Sequence, residues 1–125
     1  MGRYYTGDIN GKFAFAIQSS DDADFFGQIG SQPNYLEYYF QAEDLPNIKA
    51  GLDNCKMQLG NYKKKIDNYF NDNPTYSDDK MAKSLDIITT AKLRELLQWY
   101  YRYQLGEKIY KQVKKTGECT FEAEL

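Results

Sequence analysis

The chain has 125 residues, a net charge of −2 at pH 7 and an aromatic share of 16%, made up of 12 Tyr, 7 Phe and 1 Trp. This aromatic content excludes a disordered chain, and no uncharged apolar run approaches the roughly 18 residues of a membrane span. Histidine is absent, so the commonest general base and transition-metal ligand is missing. With no secretory signal visible at the start, we expect one domain in the cytoplasm.

The first predicted element is a β-hairpin. Asn10-Gly11 is a residue pair typical of a type I′ turn, which needs a positive φ at both positions. It separates strands predicted at residues 3–9 and 12–18. Because side chains alternate along a strand, one face of the second strand collects its large apolar residues. These are Phe13, Phe15 and Ile17.

An acidic connection follows at residues 19–34, and we expect one helical turn within it. Ser20 is placed to N-cap this turn and Gly27 to close it. Three aspartates lie near the positive end of the turn, where acidic residues are favoured. The segment Tyr35–Gln41 then alternates apolar and polar positions and predicts a third strand that is aromatic on both faces.

The middle of the chain predicts helices. Asp44 followed by Pro46 is a typical helix start. Apolar residues then recur at steps of three and four as far as Tyr69, which predicts one amphipathic helix of about 26 residues. Ser77 begins a short helix. Thr89-Thr90 begins a last helix, at residues 91 to about 115, which Gly117 ends.

Residues 118–125 alternate strictly between apolar and polar side chains, which predicts a half-buried strand. This strand must join the first sheet, or its apolar face stays in water. We therefore predict an α+β fold: a four-stranded, mainly antiparallel sheet with two long helices and one short helix packed on one face. Helix positions that extend beyond the sheet are a candidate homodimer interface, and a monomer is the alternative. Cys55 and Cys119 are expected as free buried thiols, with a bridge between them as the alternative.

The charges divide along the chain. Residues 1–48 carry two basic and seven acidic residues, residues 49–117 carry 14 basic and 8 acidic residues, and the last strand adds three glutamates. The sheet half is therefore acidic and the helical half basic. One interpretation is a solvated surface, and the other is a pair of recognition faces. A modest basic excess with only three arginines disfavours a binder of duplex nucleic acid.

Two segments carry candidate binding residues. In residues 98–104, an indole, a guanidinium and a phenol stand three and four residues apart, so they can share one side of a helix. Such a group either packs in the core, anchors a protein partner or stacks a nucleotide. The aspartates of the acidic connection do not follow EF-hand spacing, and we expect no metal and no cofactor. The predicted partner-binding residues are Asp21, Asp22, Asp24, Phe25, Phe26, Trp99, Arg102 and Tyr103.

The opening MGRYYTGDINGKFAFAIQSSDDADFFG and the closing CTFEAEL resemble small accessory proteins encoded by phages and other viruses. The resemblance implies a non-enzymatic viral protein, in the host cytoplasm, that occludes a host defence protein such as a CRISPR effector. The first alternative is a sponge that binds cyclic nucleotides or ADP-ribose derivatives at a dimer interface. The second is a metal- or carboxylate-dependent hydrolase, which the lack of a nucleophile–base signature disfavours.

Overall fold

The computed structural model describes residues 3–14, 16–30, 35–73, 77–87 and 89–124. These residues form a sheet, four α-helices and two short 3₁₀ helices, at Asp22–Phe26 and Ala42–Asp44. The strands are β1 (Tyr4–Gly7), β2 (Gly11–Lys12), β3 (Tyr35–Gln41) and β4 (Glu118–Glu124). The helices are α1 (Leu45–Leu59), α2 (Tyr62–Asp72), α3 (Asp78–Ser84) and α4 (Thr90–Thr116).

The predicted α+β architecture is confirmed. The strands lie in the order β2-β1-β4-β3, and every neighbouring pair is antiparallel. The last strand therefore returns to the centre of the sheet. On its inner face the rings of Tyr38, Phe40 and Phe121 stack with centroids 5.1 to 6.3 Å apart. Because the helices cover this face, the opposite face of the sheet is left to solvent.

The hairpin differs from its prediction. Tyr5 pairs with Gly11, so five residues, 6–10, separate these paired positions and Asn10-Gly11 is not a type I′ turn. The second strand ends at Lys12 rather than at residue 18. Beyond Phe13, which packs against the Tyr5 ring at 5.1 Å, the chain turns at Ala16 with φ 62°. Ile17 is half-buried, and Phe15 lies outside the described residues.

The single long helix predicted over residues 45–69 is two helices. Helix α1 ends at Leu59 because Gly60 adopts φ 54° and ψ −133°, a conformation that glycine reaches without a steric penalty. Helix α2 resumes at Tyr62 and ends at Asp72. The apolar periodicity continues across the break, since Ile66 is fully buried. Periodicity alone therefore could not reveal where the first helix stops.

The last helix and the last strand confirm their predictions. Thr89 Oγ1 accepts a hydrogen bond from Lys92 N at 3.1 Å, and Gly117 ends α4 in a left-handed conformation at φ 90°. Strand β4 alternates between exposed and buried residues along its whole length. Leu125 lies outside the described residues. No helix in the described ranges is long and apolar enough to cross a membrane.

The two cysteines are free and buried, as expected, and the alternative of a bridge between them is excluded. Cys55 lies on α1 and Cys119 on β4. Burial disfavours a thiolate, and it raises the pKa of each thiol to about 12. Both side chains therefore behave as small apolar groups of the core at neutral pH.

Candidate functional site

Four of the predicted binding residues form one internal cluster, which we call the Arg102 cluster: Asp22, Phe25, Trp99 and Arg102. Arg102 Nε donates to Asp22 Oδ1 at 2.7 Å. The same guanidinium lies 4.7 Å from the Trp99 ring centroid and 4.8 Å from that of Phe25. Asp22 is buried and its second oxygen accepts from Gln18. The cluster ties the first 3₁₀ helix to α4.

Phe26 belongs to the core rather than to a surface. Its side chain is fully buried, and its ring lies against two helical glycines. A Cβ built on Gly106 of α4 would lie 2.3 Å from ring carbons of Phe26, and one on Gly51 of α1 would lie 2.7 Å away. The two glycines thus leave a slot that the ring fills, which explains why both helices carry glycine there despite its cost to helix stability.

The remaining two aspartates of the acidic connection have different surroundings. Asp24 accepts hydrogen bonds from the Tyr38 hydroxyl at 2.5 Å and from Gly30 N at 3.0 Å. Burial, together with this bond, raises the pKa of Tyr38. Asp21 is exposed and accepts from Ser19. Ser20 does not cap the turn as predicted, because its hydroxyl donates to Glu124 O instead.

Tyr103 makes its contacts apart from the Arg102 cluster. Its ring is buried and lies 5.1 Å from Lys63 Nζ, and its hydroxyl donates to Glu107 at 3.1 Å. Burial, with the neighbouring Glu107 carboxylate, raises its pKa to about 12. Of the eight predicted residues, Asp21 alone is largely exposed. The other seven are buried or half-buried and make contacts within the chain.

The structure exposes another candidate surface on the acidic sheet half, which the division of charge along the sequence left as either a solvated surface or a recognition face. Strands β1, β3 and β4 alternate, and every second side chain points away from the helices. Tyr4 and Tyr39 on this side are 47% and 46% exposed. Four glutamates accompany them. We define the open face as Tyr4, Thr6, Glu37, Tyr39, Gln41, Glu118, Thr120, Glu122 and Glu124.

Two glutamates of the open face stand directly opposite one another. The register of β3 and β4 pairs Glu37 with Glu122, and like charges in this position destabilise a sheet. Neither carboxylate makes a hydrogen bond or ion pair within the described ranges. By contrast, Glu118 accepts from the Tyr39 hydroxyl at 3.1 Å and Glu124 accepts from Tyr4 N at 2.6 Å. The two glutamates without such bonds, Glu37 and Glu122, lie at the middle of the open face.

The helical side of the molecule carries the basic counterpart. A cleft of about 540 Å³ between α2 and α3 is lined by Lys65, Lys80 and Lys83, with Tyr69 and Asp72 among the other described lining residues. Lysine ammonium groups around a cleft favour an anionic ligand. A nucleotide would find lysines at this cleft, which the Arg102 cluster lacks.

In the part of the chain that the structure describes, no group of three or more Cys, Asp or Glu side chains is placed to hold a metal ion. The described carboxylates of the acidic connection are instead engaged by Arg102, Gln18, Tyr38 and Ser19.

Comparisons of the chain with protein-family models, with curated proteins and with solved structures found no match. The resemblance to phage accessory proteins therefore stays a prediction, and the case for a function depends on the geometry of the chain itself.

Proposed function

We propose that this protein acts by binding, without catalysis, and that its open face binds a basic surface of a protein partner. The observation that carries the proposal is the uncompensated pair Glu37 and Glu122 at the centre of that face. A pair of this kind costs folding stability. A cationic partner would convert the repulsion into attraction, so the feature is useful in a complex and unfavourable outside one.

The other residues of the open face suit a protein partner. Tyr4 and Tyr39 are about half exposed, and tyrosine is enriched among the residues that dominate protein interfaces. Positively charged surfaces that meet such a face are typical of proteins that bind nucleic acids. The proposal therefore accommodates the host defence protein that the viral resemblance implies, of which a nucleic-acid-binding CRISPR effector is one class.

A selection experiment tests the proposal with no partner specified in advance. A displayed library of random peptides is selected on the immobilised protein. The variant E37K/E122K reverses the central pair, and the control D53K/E95K changes the net charge equally on exposed helix positions, where Asp53 and Glu95 have half-exposed side chains. We expect enrichment of lysine- and arginine-rich peptides that bind the wild type and the control but not E37K/E122K.

The opposite outcome is equally clear. If the enriched peptides have no basic bias, or if they bind E37K/E122K as well as the wild type, the open face is not the binding surface. Raising the salt concentration provides a second check, because contacts between exposed charges weaken as ionic strength rises.

A second candidate function is the nucleotide sponge, which the lysine-lined cleft between α2 and α3 favours. It is tested by a thermal-shift panel of cyclic dinucleotides, cyclic trinucleotides and ADP-ribose derivatives, since a ligand that binds only the folded state raises the unfolding temperature. A shift abolished in K80Q/K83Q would support this candidate, and a flat panel would contradict it.

A further inference from the structure

Strand β3 forms one edge of the sheet, and its backbone directions can be deduced from three hydrogen bonds. Asp8 N donates to Thr120 O at 2.8 Å, and Thr120 N donates to Asp8 Oδ2 at 2.9 Å. Thr120 thus directs both of its backbone groups toward the β1 side. Since Thr120 lies opposite Tyr39, the pair is not hydrogen-bonded, and in an antiparallel ladder Tyr39 must then direct its backbone groups away from β4.

The end of the strand agrees with this assignment. Gln41 N donates to Asp44 Oδ2 at 2.8 Å, so this residue also points away from β4. Backbone direction alternates along a strand, and Glu37 therefore shares the orientation of Tyr39 and Gln41. Within the described ranges, the outward groups of Glu37 and Tyr39 have no backbone partner. Four hydrogen-bonding groups are left at this edge.

We propose that the β3 edge binds an extended, basic segment of a partner protein, which adds antiparallel to the sheet as a fifth strand. This inference rests on the proposed function and deepens it, because it names the form in which the partner binds. An added strand pairs its backbone with the exposed edge, and its alternate side chains lie on one face of the extended sheet. The residue that pairs with Glu37 directs its side chain onto the open face.

Charge identifies the occupant. The segment Tyr35–Gln41 contains one charged residue, Glu37, and Glu37 is already opposed by Glu122 on its other side. A lysine or arginine on the added strand would lie next to Glu37, where opposite charges stabilise a cross-strand pair. We therefore expect basic residues at alternate positions of the segment, on the side facing the glutamates.

A second copy of this chain is a poorer occupant for the same reason. Antiparallel pairing of β3 with its own copy about a two-fold axis merges two acidic open faces into one continuous surface. Pairing centred on Glu37 sets that residue directly against its symmetry copy, which is unfavourable. A register shifted by two residues leaves the two carboxylates as diagonal neighbours. Pairing centred on Tyr39 sets Glu37 against Gln41, whose N–H already donates to Asp44. A second copy of β3 is therefore a less favourable fifth strand than a cationic segment.

The test uses a labelled peptide of about 12 alternating lysine and threonine residues, long enough to span the seven residues of β3. Binding is followed by fluorescence anisotropy. In the proposed pairing the lysine residues direct their backbone toward β3 and the threonine residues away from it. Methylating the backbone nitrogens of the lysine residues should abolish binding, whereas methylating those of the threonine residues should leave it within about twofold.

A protein variant tests the same edge from the other side. Y39P removes an outward N–H without removing a bond of the β3–β4 ladder, because proline is tolerated on the free side of an edge strand. Y39A is the matched control, since it loses the same ring but keeps the N–H. Whatever the ring contributes is lost in both variants, and we expect Y39P to bind about tenfold more weakly than Y39A. Circular dichroism shows whether both variants are folded.

The outcomes separate the inference from the proposed function. The proposal that β3 binds an added strand is wrong if both sets of methylated peptides lose binding equally, or if Y39P and Y39A bind the unmethylated peptide equally well. A dimer in sedimentation that Y39P dissociates also overturns it, because the occupant would then be a second copy. If E37K/E122K abolishes selection of basic peptides while the methylated peptides bind alike, the open face stands and only the added strand is wrong.

Discussion

The contact between Phe26 and Gly106 predicts that G106A destabilises the wild type but stabilises a variant that lacks the Phe26 ring. G106A would place a Cβ 2.3 Å from the Phe26 ring, which also lies against Gly51 and is fully buried, so the ring has little room to move. Overpacking of a core costs up to about 3 kcal/mol, and alanine in a helix recovers about 1 kcal/mol relative to glycine. The net expected loss of unfolding free energy is about 2 kcal/mol, measured by urea denaturation at constant m-value.

The sign reverses in the variant F26L, which lacks the ring carbons that the new methyl group would meet. There G106A should stabilise the protein by about 1 kcal/mol through helix propensity alone. The double-mutant cycle therefore predicts a coupling of about 3 kcal/mol, which is at the upper end for residues in direct contact. Additive effects, or a neutral G106A in the wild type, would show that Phe26 does not occupy the glycine slot.

The remaining predictions concern the buried ionisable groups. The pKa values of Cys55, Cys119 and Tyr38 lie above their ordinary values of 9 and 10, so these groups contribute stability that is complete below pH 9 and lost as the pH rises. Urea titrations between pH 8 and 10.5 should show the free energy of unfolding falling by up to about 1.4 kcal/mol per pH unit for each group that ionises on unfolding. The variant C55A/C119A should reduce this pH dependence near pH 9. An unchanged slope would contradict the assignment of the dependence to the buried thiols. R102L should cost about 3 kcal/mol, since it leaves the Asp22 carboxylate buried and unpaired, whereas R102L/D22N should cost less; a loss below about 1 kcal/mol in R102L would mean that the pair behaves as an exposed ion pair.

Local chemistry explains what the sequence predicted well. The alternation of β4 and the two caps of α4 depend on neighbouring residues only, and their predicted bounds lie within one residue of those observed. The break at Gly60 escapes prediction because apolar periodicity persists through it to Ile66. The hairpin prediction is wrong because Asn10-Gly11 is a turn signal only where the strands can meet beside it, and the turn at Ala16 ends the second strand early.

The functional residues are harder to predict for a related reason. Arg102 and Asp22 are 80 positions apart in the chain, and no pattern in either segment indicates that one neutralises the other. Trp99 and Arg102 do share a side of α4 as the spacing suggested, yet both pack against Phe25 and are only partly exposed. The opposition of Glu37 and Glu122 depends on register, which a separation of 85 residues hides from sequence analysis.

The distinction between the two acidic groups of the chain decides where binding energy can come from. Asp22 is buried and paired with Arg102, and half-buried Asp24 already accepts from Tyr38, so much of their capacity to attract a partner is already used within the chain. Among the residues that the structure describes, Glu37 and Glu122 have no such bonds, and they repel each other. A cation near them both forms an attraction and removes a repulsion. In the proposed binding mode, the acidity available for recognition therefore lies mainly on the sheet, although the densest run of aspartates lies in the connection before it.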